Sequence, residues 1–356
     1  MYDLKITWIT GWDNVFSAEV RQIWLNHYKL DAEATVFQHP LMGESWLQAY
    51  RQCQQLEPLF CLIQNQFQSL FYPLVLWHRN GKNCHQKLAI PVGFSDFDYL
   101  NPLMISSESS SFPVDFYRII GRDLTQRFHA DAVQFTGISQ PVRVKHNREI
   151  LTRQICPLLY LNRFSCFENF VSGLKASLRG DIRRQQRNLA QQGEILLHIF
   201  DGNDVDGMCS SLSELLVHRA LRWPMAFTIP DFFQQLVRNM AATGLLHFSE
   251  LRLGSEVVSR HLGFVHRRRF YYYLPAVSPL FSHYSPGKIH LFYLHQWAFE
   301  NGIEIFDHLR GDEAYKRDWS DSFDSINGLK MESRRPLSLI KNSWVNAKDK
   351  INVLLS

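Results

Sequence analysis

Apolar positions along the chain recur at two spacings, and the change between them marks out the elements. From Pro40 to Gln54, Trp46, Leu47 and Tyr50 fall at helical spacing, which predicts a helix. Leu59–Ile63 and Leu70–Trp77 are apolar runs separated by Gln64, Asn65, Gln66, Gln68 and Ser69, the pattern of a hairpin. Gly81-Lys82-Asn83 is a turn leading to a strand over Lys87–Pro91. Ser95 to Pro102 is rich in turn formers, and Ser106–Ser111 is a low-complexity loop. Phe112–Phe128 predicts a helix, Ala132–Phe135 a buried strand, Pro141–Arg153 a polar connection and Cys156–Leu161 another strand.

A long helical pattern follows, with Val171, Leu174, Leu178, Ile182 and Leu189 on one face. Gly193 ends it, as a helix stop does. Ile195–Phe200 reads as a strand, and Val205–Leu221 and Ile229–Ala242 as helices. Leu246–Leu253, Glu256–Val265 and Phe270–Val277 are three successive strands, the first two joined through Gly254-Ser255. A loop over Ser278–Gly287 leads to a helix over Lys288–Glu300 and a short buried strand over Ile303–Phe306. The order is β-α-α-β-β-β-α-β, and each half of the chain is compatible with one copy of a mixed α/β unit. Leu337, Ile340, Trp344, Ile351 and Leu354 make Leu337–Leu355 amphipathic, which predicts packing against the protein, with peripheral membrane contact as the lesser alternative.

Composition narrows the classes. The 356 residues are 46% hydrophobic and 20% charged, which is globular and long enough for two domains. A net charge of +4 is too diffuse for a nucleic-acid footprint. Six scattered cysteines without C-x-x-C argue against structural zinc and thioredoxin-like redox chemistry and fit a reducing cytoplasm, so a cytoplasmic location is expected. MYDLKITWIT does not read as a signal peptide, and the uncharged stretch Pro58–His78 is too polar at its centre to span a membrane. G-x-G-x-x-G, P-loop, G-x-S-x-G and H-E-x-x-H motifs are absent, and no metal site is expected, since His290 and His295 are off one helical face.

Three constellations carry candidate chemistry. Tyr284-Ser285-Pro286-Gly287-Lys288 precedes a helix, whose N-terminus offers N–H groups and a positive dipole end to phosphate. Ser285 is expected to cap that helix, Gly287 to permit close approach and Lys288 to add charge. Arg310, Glu313, Tyr315, Lys316 and Trp319 follow a buried strand, where α/β folds place ligands. Lys175, Arg179, Arg183, Arg184 and Arg187 oppose only Asp181 on the long helix, a local balance of five minus one. That face either steers an anionic ligand or is simply solvated. Glu250, His261, Asp307 and His308 are the candidate bases, and alternation makes His261 a satisfied core histidine.

The element order, with the residues in it, resembles the GNAT acyltransferase superfamily, and within it the CelD/BcsL-like acetyltransferase family, related to the Fem-type aminoacyl transferases. The likeness rests on Leu174–Arg179 through Arg183-Arg184-Gln185, on Tyr271-Tyr272-Tyr273 through Ser285-Pro286-Gly287, and on Asp307 to Trp319, which is similar to D-x-x-R-G-x-E-x-Y-K-x-x-W. Phe37–Trp46 and Asp96–Leu100 resemble weaker N-terminal signatures.

The resemblance implies an α/β (α+β) fold with tandem GNAT-like domains, each a mixed, mostly antiparallel sheet flanked by helices. The expected boundaries are a degenerate N-terminal domain over 1–160, the acyltransferase domain with the basic helix over 161–330, and an amphipathic tail over 331–356. It implies acyl-CoA (acetyl-CoA) as co-substrate, an amine acceptor, and a context of polysaccharide or envelope metabolism. Ser285, Gly287 and Lys288 would hold the donor, Arg310, Glu313, Arg179 and Arg183 the substrates, and Asp307, Lys316 and Tyr315 the catalytic roles. The phosphate loop departs from the common Q/R-x-x-G-x-G/A pattern. Aminoacyl transfer from a transfer RNA, as in Fem-type relatives, and a non-catalytic acyltransferase-like subunit stay open beside it.

Overall fold

The computed structural model describes residues 5–53, 55–81, 84–106, 116–139, 149–222 and 229–355. In chain order these form β1 (Lys5–Thr10), α1 (Trp12–Val15), α2 (Ala18–Leu30), α3 (Pro40–Cys53), β2 (Leu56–Gln64), β3 (Gln68–Gly81), β4 (Cys84–Pro91), β5 (Leu103–Ser106), α4 (Phe116–Gln126), β6 (Ala132–Ile138) and β7 (Glu149–Tyr160). There follow α5 (Phe167–Gly173), α6 (Ala176–Ala190), β8 (Ile195–Ile199), α7 (Val205–Arg222), α8 (Pro230–Met240), β9 (Leu246–Leu253), β10 (Glu256–His266), β11 (Arg269–Val277), α9 (Pro286–Glu300), β12 (Ile305–Asp307), α10 (Ala314–Asp318), β13 (Ser322–Glu332) and α11 (Pro336–Leu355). The expected turn at 82–83, most of the loop at 106–111, the start of the helix at 112–115 and most of the 141–153 connection lie outside the described residues.

The chain forms two units, residues 1–153 with 326–356, and residues 154–325. In the first, strand order is β1-β2-β3-β4-β6-β13, with β5 paired to β3. Every pairing is antiparallel except β4 with β6. Leu59, Cys61 and Ile63 alternate along β2, and Leu70, Tyr72, Leu74 and Leu76 along β3, so one sheet face is apolar. Phe116, Tyr117, Ile120 and Leu124 of α4 cover it at helical spacing.

The second unit repeats the plan. Its order is β7-β12-β11-β10-β9-β8, again antiparallel except for one pair, β11 with β12. Each unit thus runs strand, helices, three-strand meander, helix, strand, with the last strand parallel to the third strand of the meander. The mixed, mostly antiparallel α/β class expected from the sequence is the one observed. In the first unit the loop after β4 lies against β6: Leu100 N donates to Gly137 O at 2.9 Å. A Cβ on Gly137 (φ 64°) would stand 2.5 Å from Asp98 O, so glycine is required there. Phe97, Tyr99 and Leu100 are buried, and Asp96 accepts from Trp46 Nε1 and Tyr50 OH. The stretches 37–46 and 96–100 therefore lock this loop onto its own unit.

Three expectations are corrected. The division of the chain is not at 160 and 330: from Gln154 the backbone of β7 belongs to the second unit, and from Ile326 the chain returns to the first, where β13 pairs with β6. The helical pattern from Val171 to Leu189 is two helices. Gly173 ends α5, and Arg179 donates to the Ser172 and Leu174 carbonyls at the break, satisfying the end of α5. Beyond it, Leu178, Ile182 and Leu189 are buried as expected. The segment 331–356 is not a separate tail, and α11 packs through its polar side, since Ser338 and Asn342 are buried while Leu337, Ile340 and Trp344 are exposed.

Asp131 holds that helix. Its buried carboxylate accepts from Lys87 N at 2.9 Å, from Ser338 Oγ and from Lys341 Nζ at 3.1 Å, while Asn342 Nδ2 donates to its carbonyl at 2.9 Å. Burial alone would raise its pKa; these donors hold it below the ordinary carboxylate value. Asp131→Ala strands the donors, and the first unit should lose about 2–4 kcal/mol in chemical denaturation. A loss within about 0.5 kcal/mol, the range of an ordinary surface change, would contradict this role.

Candidate active site

β11 and β12 run parallel for only three rungs, Arg269↔Ile305, Phe270↔Phe306 and Tyr271↔Asp307. β11 then continues to Val277 while the chain turns away after Asp307. The register with β10 shifts at the same level: Leu262 faces Leu274 and Phe264 faces Tyr271, so Tyr272 and Tyr273 together oppose Gly263. Such a bulge bends its strand and re-aims its groups. A Cβ on Gly263 would lie 2.5 Å from His261 Cε1 and 2.7 Å from Tyr271 O, so only glycine fits opposite the bulge.

The segment 307–319 folds into a short, self-bonded loop at the parting of the strands. Asp307 is fully buried; Arg269 Nη2 donates to Oδ2 at 2.7 Å and Leu309 N to Oδ1 at 2.8 Å. Both carboxylate oxygens are therefore engaged. Leu309 (φ 60°) and Gly311 (φ 128°) take left-handed backbone, and Gly311 N donates to Ile155 O. Lys316 is buried, donates from Nζ to Arg310 O at 2.7 Å and pairs with Glu313 Oε2 at 3.0 Å. These partners engage two of its three N–H groups. Glu313 thus pairs with Lys316. A Cβ on Gly311 would stand 2.2 Å from Glu313 Oε2, so this glycine makes room for the pair. Tyr315 is exposed and lies near Tyr272, whose pKa is raised by burial first and by the Tyr315 phenol second. Trp319 is buried against His295, rings stacked 4.9 Å apart.

At the start of α9, Ser285 takes left-handed backbone (φ 52°), and its side chain makes no capping bond, contrary to expectation. Its carbonyl instead accepts from Lys288 N at 3.0 Å. A Cβ on Gly287 would stand 2.9 Å from Val277 Cγ2, so this glycine lets α9 close onto the end of β11. Lys288 Nζ is paired with Asp181 of α6, and Asp181 also takes Arg184. The Lys288 hydrogen bond is the chief reason Asp181 sits below the ordinary carboxylate value. The lone acid on the basic helix, which looked incidental, is therefore its tie to α9. Arg179 is engaged with backbone carbonyls, and Arg183 and Arg187 are exposed. Glu250 accepts from Ser211 Oγ and from Arg252 Nε.

Sequence reasoning missed a cluster of buried histidines. His247, His261, His290, His295 and His308 lie in the interior of this unit. His261 is buried as expected but is not satisfied: neither ring nitrogen has a hydrogen-bond partner, and it stacks on Tyr272 with centroids 4.5 Å apart. The aromatic wall of Phe270 and Tyr272 offers it no acceptor. Ser259 Oγ donates to Ala276 O, so it accepts from His290 Nδ1, and His290 Nε2 in turn accepts from Ser249 Oγ. The signal was present in strand alternation, which points His261 inward. Among the described residues no group of three or more His, Cys, Asp or Glu is arranged to hold a metal.

Residues 176–317 match the family described as Acetyltransferase (GNAT) domain. No curated protein matches the chain. Among solved structures, the fold is similar to that of FemX, at 9% identity over 86% of this chain and 95% of that one, with a TM-score of 0.53. It is also similar to a conserved protein of unknown function from Bacteroides thetaiotaomicron, at 11% identity over 93% and 100% of the two chains, TM-score 0.53.

The histidines predict how stability responds to acid. Burial holds His247, His290 and His295 down to about 3, and His261 and His308 well below their ordinary value. Unfolding returns each to about 6.5, so below that pH the unfolded chain binds protons the folded chain refuses. Stability is therefore full above about pH 6.5 and falls as pH drops toward 3. Each such group steepens the fall of the folding equilibrium constant in this window, by up to about tenfold per pH unit. Urea titrations across this range check it, and His247→Phe with His261→Phe should lower the slope by about two protons. A flat profile from pH 7 to about 4 would contradict it.

Proposed function

We propose that the protein is an N-acyltransferase that moves an acyl group from an acyl-CoA to an amine acceptor, at the parting of β11 and β12. The observation that carries this reading is that the matched acetyltransferase region, residues 176–317, contains the diverging strand pair and the Lys316 loop beside it. In this reading the donor's pyrophosphate lies at the start of α9, near Ser285, Gly287 and Lys288. Pro286 brings no N–H there, and Lys288 shares its ammonium with Asp181, so binding relies on Gly287 N–H and on partial release of that ion pair. Arg310 and Glu313, with Arg179 and Arg183 from the basic helix, contribute to substrate binding, Arg310 and Glu313 partly by fixing Lys316.

The chemistry is direct attack of a neutral amine on the thioester carbonyl. Oxygen gains negative charge as the C–N bond forms, the nitrogen, now cationic, gives its proton to solvent, and the C–S bond breaks with release of the thiolate. A group that binds the oxyanion better than the carbonyl lowers the barrier. Lys316 supplies that group through its remaining N–H, held by Arg310 O and Glu313. In this reading Tyr315, exposed beside Tyr272, gives a proton to the departing thiolate, and Asp307 anchors the loop through Arg269 and Leu309 N. A CelD/BcsL-like role in polysaccharide or envelope metabolism is the finer version of this proposal, supported by the resemblance of 307–319. Aminoacyl transfer from a transfer RNA is the second reading, favoured by the Lys288–Asp181 pair, which leaves the phosphate site at α9 less cationic.

Lys316→Met tests the assignment. Turnover, followed as free thiol release across a panel of amines, should fall by about 10²–10³. Donor affinity should change by less than about threefold. Losing the bond to Arg310 O should cost about 1–3 kcal/mol of stability. Undiminished turnover in the folded variant would remove Lys316 from the chemistry.

A further inference from the structure

We infer that the outward face of α11 is a docking surface for an anionic membrane. The helix is amphipathic in the reverse sense of a surface helix, since its polar side faces the protein. Ser338 and Asn342 are each 1% exposed, whereas Leu337, Ile340 and Trp344 are 73%, 58% and 62% exposed. Hydrogen bonds fix this rotation about the helix axis. Asn342 is held between the Asp131 carbonyl at 2.9 Å and Gln86 Nε2 at 2.7 Å, and Ser338 donates to the Asp131 carboxylate. Arg335 adds a bond to Ala130 O at 3.1 Å. Turning the apolar residues inward would break all of these and bury nothing in return on the polar floor. Leu337, Ile340 and Trp344 are spaced three and four apart, so they form one stripe, and the spacing continues in the sequence at Ala347, Ile351 and Leu354.

Charge chooses the occupant. Residues 334–350 contain Arg334, Arg335, Lys341, Lys348 and Lys350 against Asp349, a balance of five minus one, equal to the net charge of the whole chain. Counting Asp131, which takes Arg335 and Lys341, still leaves three positive charges. A second copy of the helix would bring the same positive stretch against this one, and like charges disfavour that pairing. Anionic headgroups meet both features at once: basic side chains find phosphates, and Leu337, Ile340 and Trp344 enter the boundary below them. Tryptophan is well suited to that depth, with an apolar body and one N–H for the headgroup layer. No helix among the described residues is long and apolar enough to cross a membrane, so the contact is one of lying on the surface.

Sedimentation of the full chain with vesicles tests this. Phosphatidylcholine vesicles containing phosphatidylglycerol should carry the protein down at low salt, vesicles of phosphatidylcholine alone should not, and added salt should release it. Leu337→Ser, Ile340→Ser and Trp344→Ser together should weaken binding at least about tenfold, because affinity follows the apolar area inserted. Melting temperature should stay unchanged, since these side chains already face solvent. Arg334→Gln with Lys348→Gln and Lys350→Gln should weaken binding and flatten its salt dependence. Protein left in the supernatant with both vesicle types would overturn the inference. So would unaltered binding by either variant, or a wild-type dimer in light scattering that the triple serine variant splits, which would make a second copy the occupant.

Discussion

The early end of the parallel pairing between β11 and β12 is the constraint on which the second unit's site depends. Arg269, first residue of β11, reaches across to Asp307, last residue of β12, and the pair is buried at the aspartate end. Asp307 spends its other oxygen on Leu309 N, where the backbone is left-handed, and the segment leaves β11 while His308 N and Gly311 N stay bonded to β7. A buried ion pair contributes little net stability once desolvation is counted, but it fixes geometry, because either partner alone would be stranded. Here the fixed geometry delivers Lys316 and Glu313 to one spot beside the bulged strand.

The first unit shows the same plan without the opening. Its parallel pair, β4 with β6, lasts two rungs, Leu88↔Ala132 and Ala89↔Val133. The loop that follows β4 then fills the space beside β6, with Leu100 bonded to Gly137 and Asp96 held by Trp46 and Tyr50. One architecture thus appears twice, once closed by its own aromatic loop and once left to a short, bonded loop around a lysine. In the second unit, buried neutral histidines take positions that aliphatic residues would fill more stably. Their desolvation makes the unit that carries the candidate site the more acid-sensitive one.

Much of the fold was legible in the sequence. The apolar runs 59–63 and 70–77 and the three strands from 246 to 277 emerged as strands; the two runs are continuous because the sheet is buried on both faces there. The repeat was visible as element order, though not the return of 326–356 to the first unit, which depends on long-range strand pairing that local periodicity cannot encode. The site was legible as a motif but not as a geometry. Nothing in the spacing of 307–319 says that Lys316 bonds to Arg310 O, or that Gly287 is small because Val277 lies behind it. The face of α11 was read backwards for a related reason. Periodicity identifies an apolar stripe, but it was a single buried aspartate just before β6, Asp131, far away in sequence, that decided which side of the helix faces inward.

The most direct measurement of the central claim, that the parting of β11 and β12 receives an acyl thioester, is the melting temperature of the full chain against acetyl-CoA and longer acyl-CoAs. A ligand at a hundredfold its dissociation constant adds about 2.7 kcal/mol to stability, a shift of several degrees that grows with the logarithm of concentration. The account predicts such a rise for at least one acyl-CoA. A melting temperature that stays flat through the whole acyl-CoA series, while an aminoacyl-tRNA raises it, would contradict the donor proposed here.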